Sequence, residues 1–152
     1  MPEASYAIEA GALVADRYSI QNTLGRGGMG AVYRAFDEKL ERAVAIKFLD
    51  ARMVDDPDLV ERFQREALAA GRIGHENICD VRDRGETDDG IPYIVMELLE
   101  GAPLGKLFEG GKAMPVERLC EIARQVLSGL EAAHAAGIVH RDLKPDNIFV
   151  TR

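Results

Sequence analysis

The run Leu24-Gly25-Arg26-Gly27-Gly28-Met29-Gly30-Ala31-Val32 spells G-x-G-x-x-G-x-V, and together with the residues after it this run constrains the fold more than any other stretch. Glycines lack a Cβ, so successive backbone N–H groups can close on an anion such as a phosphate. In a parallel dinucleotide-binding unit such a loop opens directly into a helix whose N-terminus carries the pyrophosphate. Here it opens into Val32-Tyr33-Arg34-Ala35-Phe36, which is β-branched and aromatic and has no cap. That predicts strand–turn–strand and counts against a parallel α/β sheet. Taken alone, the glycines fit a plain hairpin turn as well as a phosphate loop.

The flanking pattern extends the same architecture. Residues 1–16 are Ala-rich with acidic punctuation and no sustained period, which predicts a flexible lead-in. From Tyr18 to Leu49, short β-prone runs are divided by turns at 25–30 and 37–42, an antiparallel meander. The period then becomes helical. Asp56-Pro57 reads as an N-cap with Pro at the first helical position. Leu59, Phe63, Ala70 and Ile73 share a face, and Gly74 is the stop. A hairpin turning at Asp88-Asp89-Gly90 leads into Tyr93-Ile94-Val95-Met96. Residues 101–114 hold four glycines and predict a connection with one short helix at 103–109. Pro115 to Ala136 is a second long helix with the stripe Val116, Leu119, Ala123, Val126, Leu130 and Ala133. Ile138 to Arg152 reads as strand, polar loop, strand. The fold class is α+β.

Charge and cysteine content narrow the function classes. Lys and Arg total 19 against 26 Asp and Glu, a net charge of −7. An acidic chain without basic clusters is unsuited to phosphate backbones or anionic lipid. No apolar run approaches the roughly 18 residues of a membrane span, and the start has no basic n-region of a secretory signal. Two cysteines, Cys79 and Cys120, form no disulfide framework, which fits a reducing, cytoplasmic compartment.

Two charges interrupt apolar stripes. Lys47 lies inside Val44-Ala45-Ile46-Lys47-Phe48-Leu49, and Glu66 stands on the apolar face of the first helix. A lone buried charge is costly, so each suggests the other as partner. The competing reading has Lys47 snorkelling to solvent and Glu66 pairing with Arg62 or Arg65. The loop His140-Arg141-Asp142-Leu143-Lys144-Pro145-Asp146-Asn147 concentrates a carboxylate, an ammonium and an amide where Pro145 bars regular helix. An Asp and an Asn five residues apart on a bent loop can serve one volume, one taking a hydroxyl proton and the other ligating a hard cation. A solvated polar turn is the alternative.

In combination these parts resemble the protein-kinase signature set, most closely the eukaryotic-like serine/threonine protein kinases of bacteria. Gly25–Val32 matches the glycine loop, Val44–Lys47 the strand lysine, and His140–Asn147 the catalytic loop letter for letter, while Glu66 stands on the helix that carries the family's ion-pair glutamate. The resemblance covers residues 17–152. It implies an ATP-binding N-lobe over 17–100, an antiparallel sheet with one long helix. It implies a hinge and the start of a mainly helical C-lobe over 101–152.

The resemblance also implies roles. Gly25, Arg26, Gly27, Gly28, Met29, Gly30 and Ala31 would cover the phosphates of ATP. Leu24, Val32 and Ala45 would pack on the adenine from above and Phe149 from below. Met96 would be the gatekeeper, with the Glu97 carbonyl and the Leu99 amide bonding the adenine edge. Lys47 would hold the α- and β-phosphates, positioned by Glu66. Asp142 would accept the proton of the attacking hydroxyl, Lys144 would neutralise the γ-phosphate and Asn147 would ligate Mg²⁺. Lys144, two residues after Asp142, implies a Ser or Thr acceptor on a protein substrate. His140, His134 and His75 read as structural, with His140 in a core.

The matched pattern runs to Arg152 without the Asp-Phe-Gly that supplies the other Mg²⁺ carboxylate. The 152 residues are therefore expected to be inactive alone. The alternative is a nucleotide- or partner-binding pseudokinase module without catalysis. A small-molecule phosphotransferase is disfavoured by Lys144-Pro145. The wide apolar arc of helix 115–136 predicts an exposed patch and self-association.

Overall fold

Alternation at period two puts Tyr18 and Ile20, then Tyr33 and Ala35, then Val44, Ile46 and Phe48 on one side of a sheet. The computed structural model, which describes residues 7–152, buries all of them. Two units form. One comprises residues up to 71 together with 80–98, and the other comprises 72–79 with 99–152.

The first unit is built on a six-stranded antiparallel sheet. Its strands are β1 (Leu13–Val14), β2 (Tyr18–Gly27), β3 (Gly30–Asp37), β4 (Arg42–Leu49), β5 (Val81–Glu86) and β6 (Pro92–Glu97). They lie in the order β1-β2-β3-β4-β6-β5. The helix α1 spans Pro57–Ile73. Its start is capped as the sequence predicts, the Asp56 Oδ1 accepting from the N–H groups of Asp58 at 3.0 Å and Leu59 at 3.4 Å. Its stop is Gly74, at φ +57°.

Each face of the sheet has its own core. On one face Tyr18, Ile20, Tyr33, Ala35, Val44, Ile46, Phe48, Tyr93 and Val95 pack with Val14 and Ile91. On the other, Leu49 and Ile94 pack under Phe63 and Ala67 of α1. The buried face of α1 is therefore Phe63 and Ala67, with Val60 beside them, and not the stripe Leu59, Phe63, Ala70, Ile73. Ala67 falls one turn from Phe63, where a small side chain lets the helix lie close on the strands.

The lead-in also departs from expectation. Residues 1–6 lie outside the described residues. Beyond them, Leu13 and Val14 pair with Ser19 and Tyr18, the Gly11 N–H donates to the Ile20 carbonyl at 2.8 Å, and Val14 is buried. The sheet thus starts before residue 17, because a turn returns Ala12–Val14 along the edge of β2.

A side-chain clasp draws the sheet into a curl. The Tyr18 hydroxyl on β2 donates to Asp83 Oδ2 on β5 at 2.6 Å, although three strands separate β2 from β5 in the ladder. Arg17 grips Asp37 through Nε and Nη2, both at 2.8 Å, and reaches Asp83 at 3.6 Å. Asp37 is 1% exposed. The Arg17 guanidinium holds its carboxyl down at about 2, against the opposing push of burial, with help from the N–H groups of Leu40 and Lys39.

The second unit centres on α3 (Val116–Ala135), which ends before Gly137 at φ +76°. The segment 72–79 lies on this helix at Gly129, where a Cβ would stand 3.2 Å from the Asn77 carbonyl oxygen. His75 fastens it. Its Nδ1 accepts from the Asn77 N–H at 3.0 Å and its Nε2 is 3.3 Å from Ser128 Oγ. The expected connection at 101–114 holds a strand, β7 (Gly101–Pro103), and the short helix α2 (Leu104–Leu107). β7 pairs with β8 (Phe149–Thr151). No strand forms at Ile138–Val139.

Candidate active site

The glycine hairpin is the β2–β3 turn, with Gly25 opposite Val32, Arg26 opposite Ala31 and Gly27 opposite Gly30. Gly28 and Met29 form the tip. The tip is tied to the end of β4, because the Met29 carbonyl accepts from the Asp50 N–H at 2.9 Å. Asp50 in turn is held at about 2 by the Arg52 side chain and N–H.

The four glycines divide into two kinds. At Gly30, φ is +154° and an added Cβ would stand 1.9 Å from the Phe48 carbonyl oxygen. The fold itself requires that glycine. At Gly25, Gly27 and Gly28 an added Cβ meets nothing within 4 Å, and none has a positive φ. Within this chain, neither space nor backbone conformation calls for glycine at those three positions. They leave open a run of backbone that a ligand can approach closely.

Below the hairpin the sheet alternation gathers on one face four of the residues expected to meet a nucleotide. Val32 is directly opposite Lys47, and Ala45 is directly opposite Met96. These four share the face that carries Leu49 and Ile94, since each lies an even number of residues from, or directly across from, one of them. Phe63 and Ala67 cover the Leu49–Ile94 end of that face. Leu24, on the β2 arm, is 49% exposed. Glu97 closes β6, its N–H donating to the Asp80 carbonyl at 3.0 Å and its carboxylate accepting from the Asp80 N–H at 2.8 Å. Leu99 opens the second segment of the second unit.

The expected Lys47–Glu66 pair is not formed. Among the described residues no ion pair joins them. Glu66 Oε1 instead accepts from Arg62 Nε at 3.1 Å, one helical turn back, and both side chains are 60% exposed. The Lys47 ammonium lies 5.8 Å from the centroid of the Phe63 ring. The helix turns Phe63 toward the strand lysine and leaves Glu66 on the flank, where a neighbouring arginine takes it.

In the second unit the catalytic-loop candidates assemble locally. A 3₁₀ turn at Pro145–Asn147 directs the Asn147 amide back onto Asp142. Asn147 Nδ2 donates to the Asp142 carbonyl at 2.8 Å and to its Oδ2 at 3.2 Å. Lys144 Nζ stands 3.7 Å from the same Oδ2. Asp142 Oδ1 and Asn147 Oδ1 are left without a partner among the described residues. One is a free carboxylate oxygen and the other a neutral oxygen donor for a hard cation. No group of three or more His, Cys, Asp or Glu among the described residues is placed to hold a metal.

The loop is fixed from behind by the Leu104 N–H, which donates to the Ile148 carbonyl at 2.7 Å, and by the β7–β8 ladder, in which Phe149 pairs with Pro103. His140, expected in a core, is exposed. Its Nδ1 accepts from the Asp142 N–H at 3.2 Å, so it buttresses the loop through the backbone. The structure adds a feature that sequence reasoning missed, the Arg17–Asp37–Asp83–Tyr18 clasp at the root of the glycine hairpin.

The chain belongs to the protein kinase family, whose domain pattern matches residues 18–152. Among its relatives, the serine/threonine-protein kinase PksC of Streptomyces coelicolor is 44% identical over 148 residues, covering 93% of this chain and 27% of that protein. The serine/threonine-protein kinase PknL of Mycobacterium tuberculosis is 41% identical over 140 residues, covering 92% of this chain and 35% of that protein. Among solved structures, the Mycobacterium tuberculosis PknI kinase domain superposes with a TM-score of 0.84 at 33% identity, covering 95% of this chain and 58% of that one. The chain thus spans roughly a quarter to a third of the length of these two curated relatives. Among the described residues no helix is long and apolar enough to cross a membrane.

Proposed function

We propose that this chain is the nucleotide-binding and catalytic-loop portion of a serine/threonine protein kinase, transferring the γ-phosphoryl group of ATP to a Ser or Thr hydroxyl of a protein. The first unit is the ATP-binding lobe and the second the start of the catalytic lobe. The observation that carries this reading is the glycine hairpin. Three glycines that the chain does not need for itself stand above a sheet face presenting Val32, Ala45, Lys47 and Met96.

In this reading Gly25–Gly30 cover the phosphates and Lys47 neutralises the α- and β-phosphates. Leu24, Val32 and Ala45 pack on the adenine, with Met96 and Glu97 along its edge. Asp142, positioned by the Asn147 amide, offers Oδ1 to the hydroxyl proton. The hydroxyl oxygen bonds to the γ-phosphorus, the bond from that phosphorus to the bridging oxygen breaks, and ADP leaves. Lys144 neutralises charge on the moving phosphoryl group. Asn147 would hold Mg²⁺ through Oδ1; when bound, the ion screens charge on the phosphate oxygens. These 152 residues contain no Asp-Phe-Gly carboxylate, so turnover by this chain alone is expected to be at background. Cys79 and Cys120 form no disulfide among the described residues, which supports a reducing, cytoplasmic setting.

Titration with Mg²⁺-ATP tests the reading. Binding should weaken at least tenfold in Lys47→Met and stay unchanged in Asp142→Asn. Equal binding by wild type and Lys47→Met would overturn it. A nucleotide- or partner-binding module without transfer is the second reading. Its specific support is that Glu66 is engaged by Arg62 and not by Lys47. Phosphate incorporation from labelled ATP above a Lys47→Met control would eliminate that module.

A further inference from the structure

We propose that the free edge of β5 pairs with the same edge of a second copy of this chain, antiparallel and centred on Gly85. The inference is independent of the nucleotide-binding reading. β5 is the last strand of its sheet, with β6 on one side and no strand on the other among the described residues. An unpaired edge is a template for another strand. Along an antiparallel ladder the backbone faces a given neighbour at every second residue. The Thr87 N–H donates to the Ile91 carbonyl at 2.9 Å, so Gly85 also turns its backbone to β6, while Arg84 and Glu86 turn theirs outward. Accordingly the Arg84 N–H is held by the adjacent Asp83, whose Oδ1 accepts it at 2.8 Å. That local bond is a plug, which a carbonyl of an incoming strand can replace.

The side chains select the occupant. On one side of Gly85 the strand carries Arg84 and Arg82, and on the other Glu86 and Asp88, with Arg84, Glu86 and Asp88 exposed. A second copy of β5 running antiparallel through Gly85 sets Arg84 opposite Glu86 and Glu86 opposite Arg84, and brings Arg82 toward Asp88. Each Arg84–Glu86 pair also exchanges both backbone bonds. Sliding the copies by two residues sets Arg84 against Arg84 or Glu86 against Glu86, which repel. The edge therefore complements itself in one register. Arg84 has no ion-pair partner of its own among the described residues, and the Glu86 carboxylate meets only the Gln64 amide, at 3.4 Å. Both residues lie across from β6 at Ile94 and Pro92, beside a groove of about 420 Å³ that has room for the second copy's long side chains. The regular edge is short, because the ladder shifts register between Val81 and Asp83. The association is therefore weak and salt-sensitive.

Dilution reads a contact of this size. With Leu127→Gln in every chain to blunt the α3 patch, sedimentation over a concentration series at low salt should show a monomer–dimer equilibrium. Arg84→Glu and Glu86→Arg each turn two attractive pairs into two repulsive ones, so each should weaken self-association about tenfold. Mixed in equal amounts, the two variants complement each other and should pair with the parent's affinity, which also shows that both are folded. Both exchanges in one chain should pair as the parent does. Raising salt should weaken the parent and shrink its advantage over the single variants. A parent that stays monomeric, single variants that pair as the parent does, or a mixture that fails to recover would overturn the edge pairing.

Discussion

The division of the glycines can be tested within one hairpin. Gly30→Ala would bring a Cβ to 1.9 Å from the Phe48 carbonyl oxygen, where ordinary contact begins at 3.4 Å. The carbonyl cannot retreat by the difference of 1.5 Å. Phe48 is 3% exposed and its residue pairs with Ala31 on one side and Tyr93 on the other. The start of β3 must lift instead, giving up its pairing to Leu49 and the bond from Asp50 to Met29. Overpacking of this kind costs about 1–3 kcal/mol, and each lost hydrogen bond about 0.5–1.5 kcal/mol. The sum, about 2–6 kcal/mol, is a large part of the roughly 5–15 kcal/mol of a typical domain. Gly27→Ala meets nothing within 4 Å and should change stability by about 0.5 kcal/mol or less, yet it fills space that the proposed function assigns to phosphate. Urea unfolding paired with nucleotide titration separates the two. Gly30→Ala should shift the unfolding midpoint, while Gly27→Ala should shift only the binding curve. A wild-type midpoint for Gly30→Ala, or a destabilised Gly27→Ala, would refute the division.

Three further outcomes are expected from the same structure. The Asp37 carboxyl sits at about 2 in the fold and near 3.9 in an unfolded chain, so the unfolded state binds more protons between these values. Stability present above about pH 4 is then lost as pH falls toward about 2, and Asp37→Asn should flatten that limb in denaturant titrations at stepped pH. On α3, Val116 is 69%, Leu119 42% and Leu127 65% exposed, so the chain should bind a hydrophobic dye and self-associate in a concentration series. Leu127→Gln should reduce both, and a monomer that ignores the dye would refute this patch. In an active kinase carrying these residues, Asp142→Asn should remove most transfer at unchanged ATP affinity, measured by steady-state kinetics with a Ser/Thr peptide.

What the sequence made legible was local. The missing cap after Gly30 predicted a strand, and Val32 to Asp37 is one. Asp56-Pro57 and Gly74 marked both ends of α1 because capping involves neighbours within a turn. The misreadings are nonlocal. Ala67 is buried because of where β4 and β6 lie, which a helical wheel of α1 cannot express. Gly101–Pro103 is a strand only because Phe149–Thr151 returns beside it. Asp37 looked like a turn carboxylate, and its partner Arg17 stands 20 residues before it, while the Asp83 that Arg17 also reaches stands 46 after it. Glu66 was read as a charge interrupting the buried stripe, yet the buried face is Phe63 and Ala67 and its carboxylate is exposed beside Arg62, because the position of the strands under α1 cannot be read from the helix alone.

The strand order has a consequence for synthesis. β6 inserts between β4 and β5, so β4 completes its ladder only when residues 93–97 arrive to pair with 44–48. As the chain leaves the ribosome at about 5–20 residues per second, the stretch from 49 to 97 takes roughly 2–10 seconds. A hairpin such as β3–β4 closes in about 1–10 μs. For seconds, therefore, the meander of β2, β3 and β4 stands with the open edge of a strand whose Val44, Ile46 and Phe48 are apolar. That is the geometry that recruits a second nascent chain. Chains stalled between residues 50 and 90 should be the ones that chaperones hold and that aggregate in their absence.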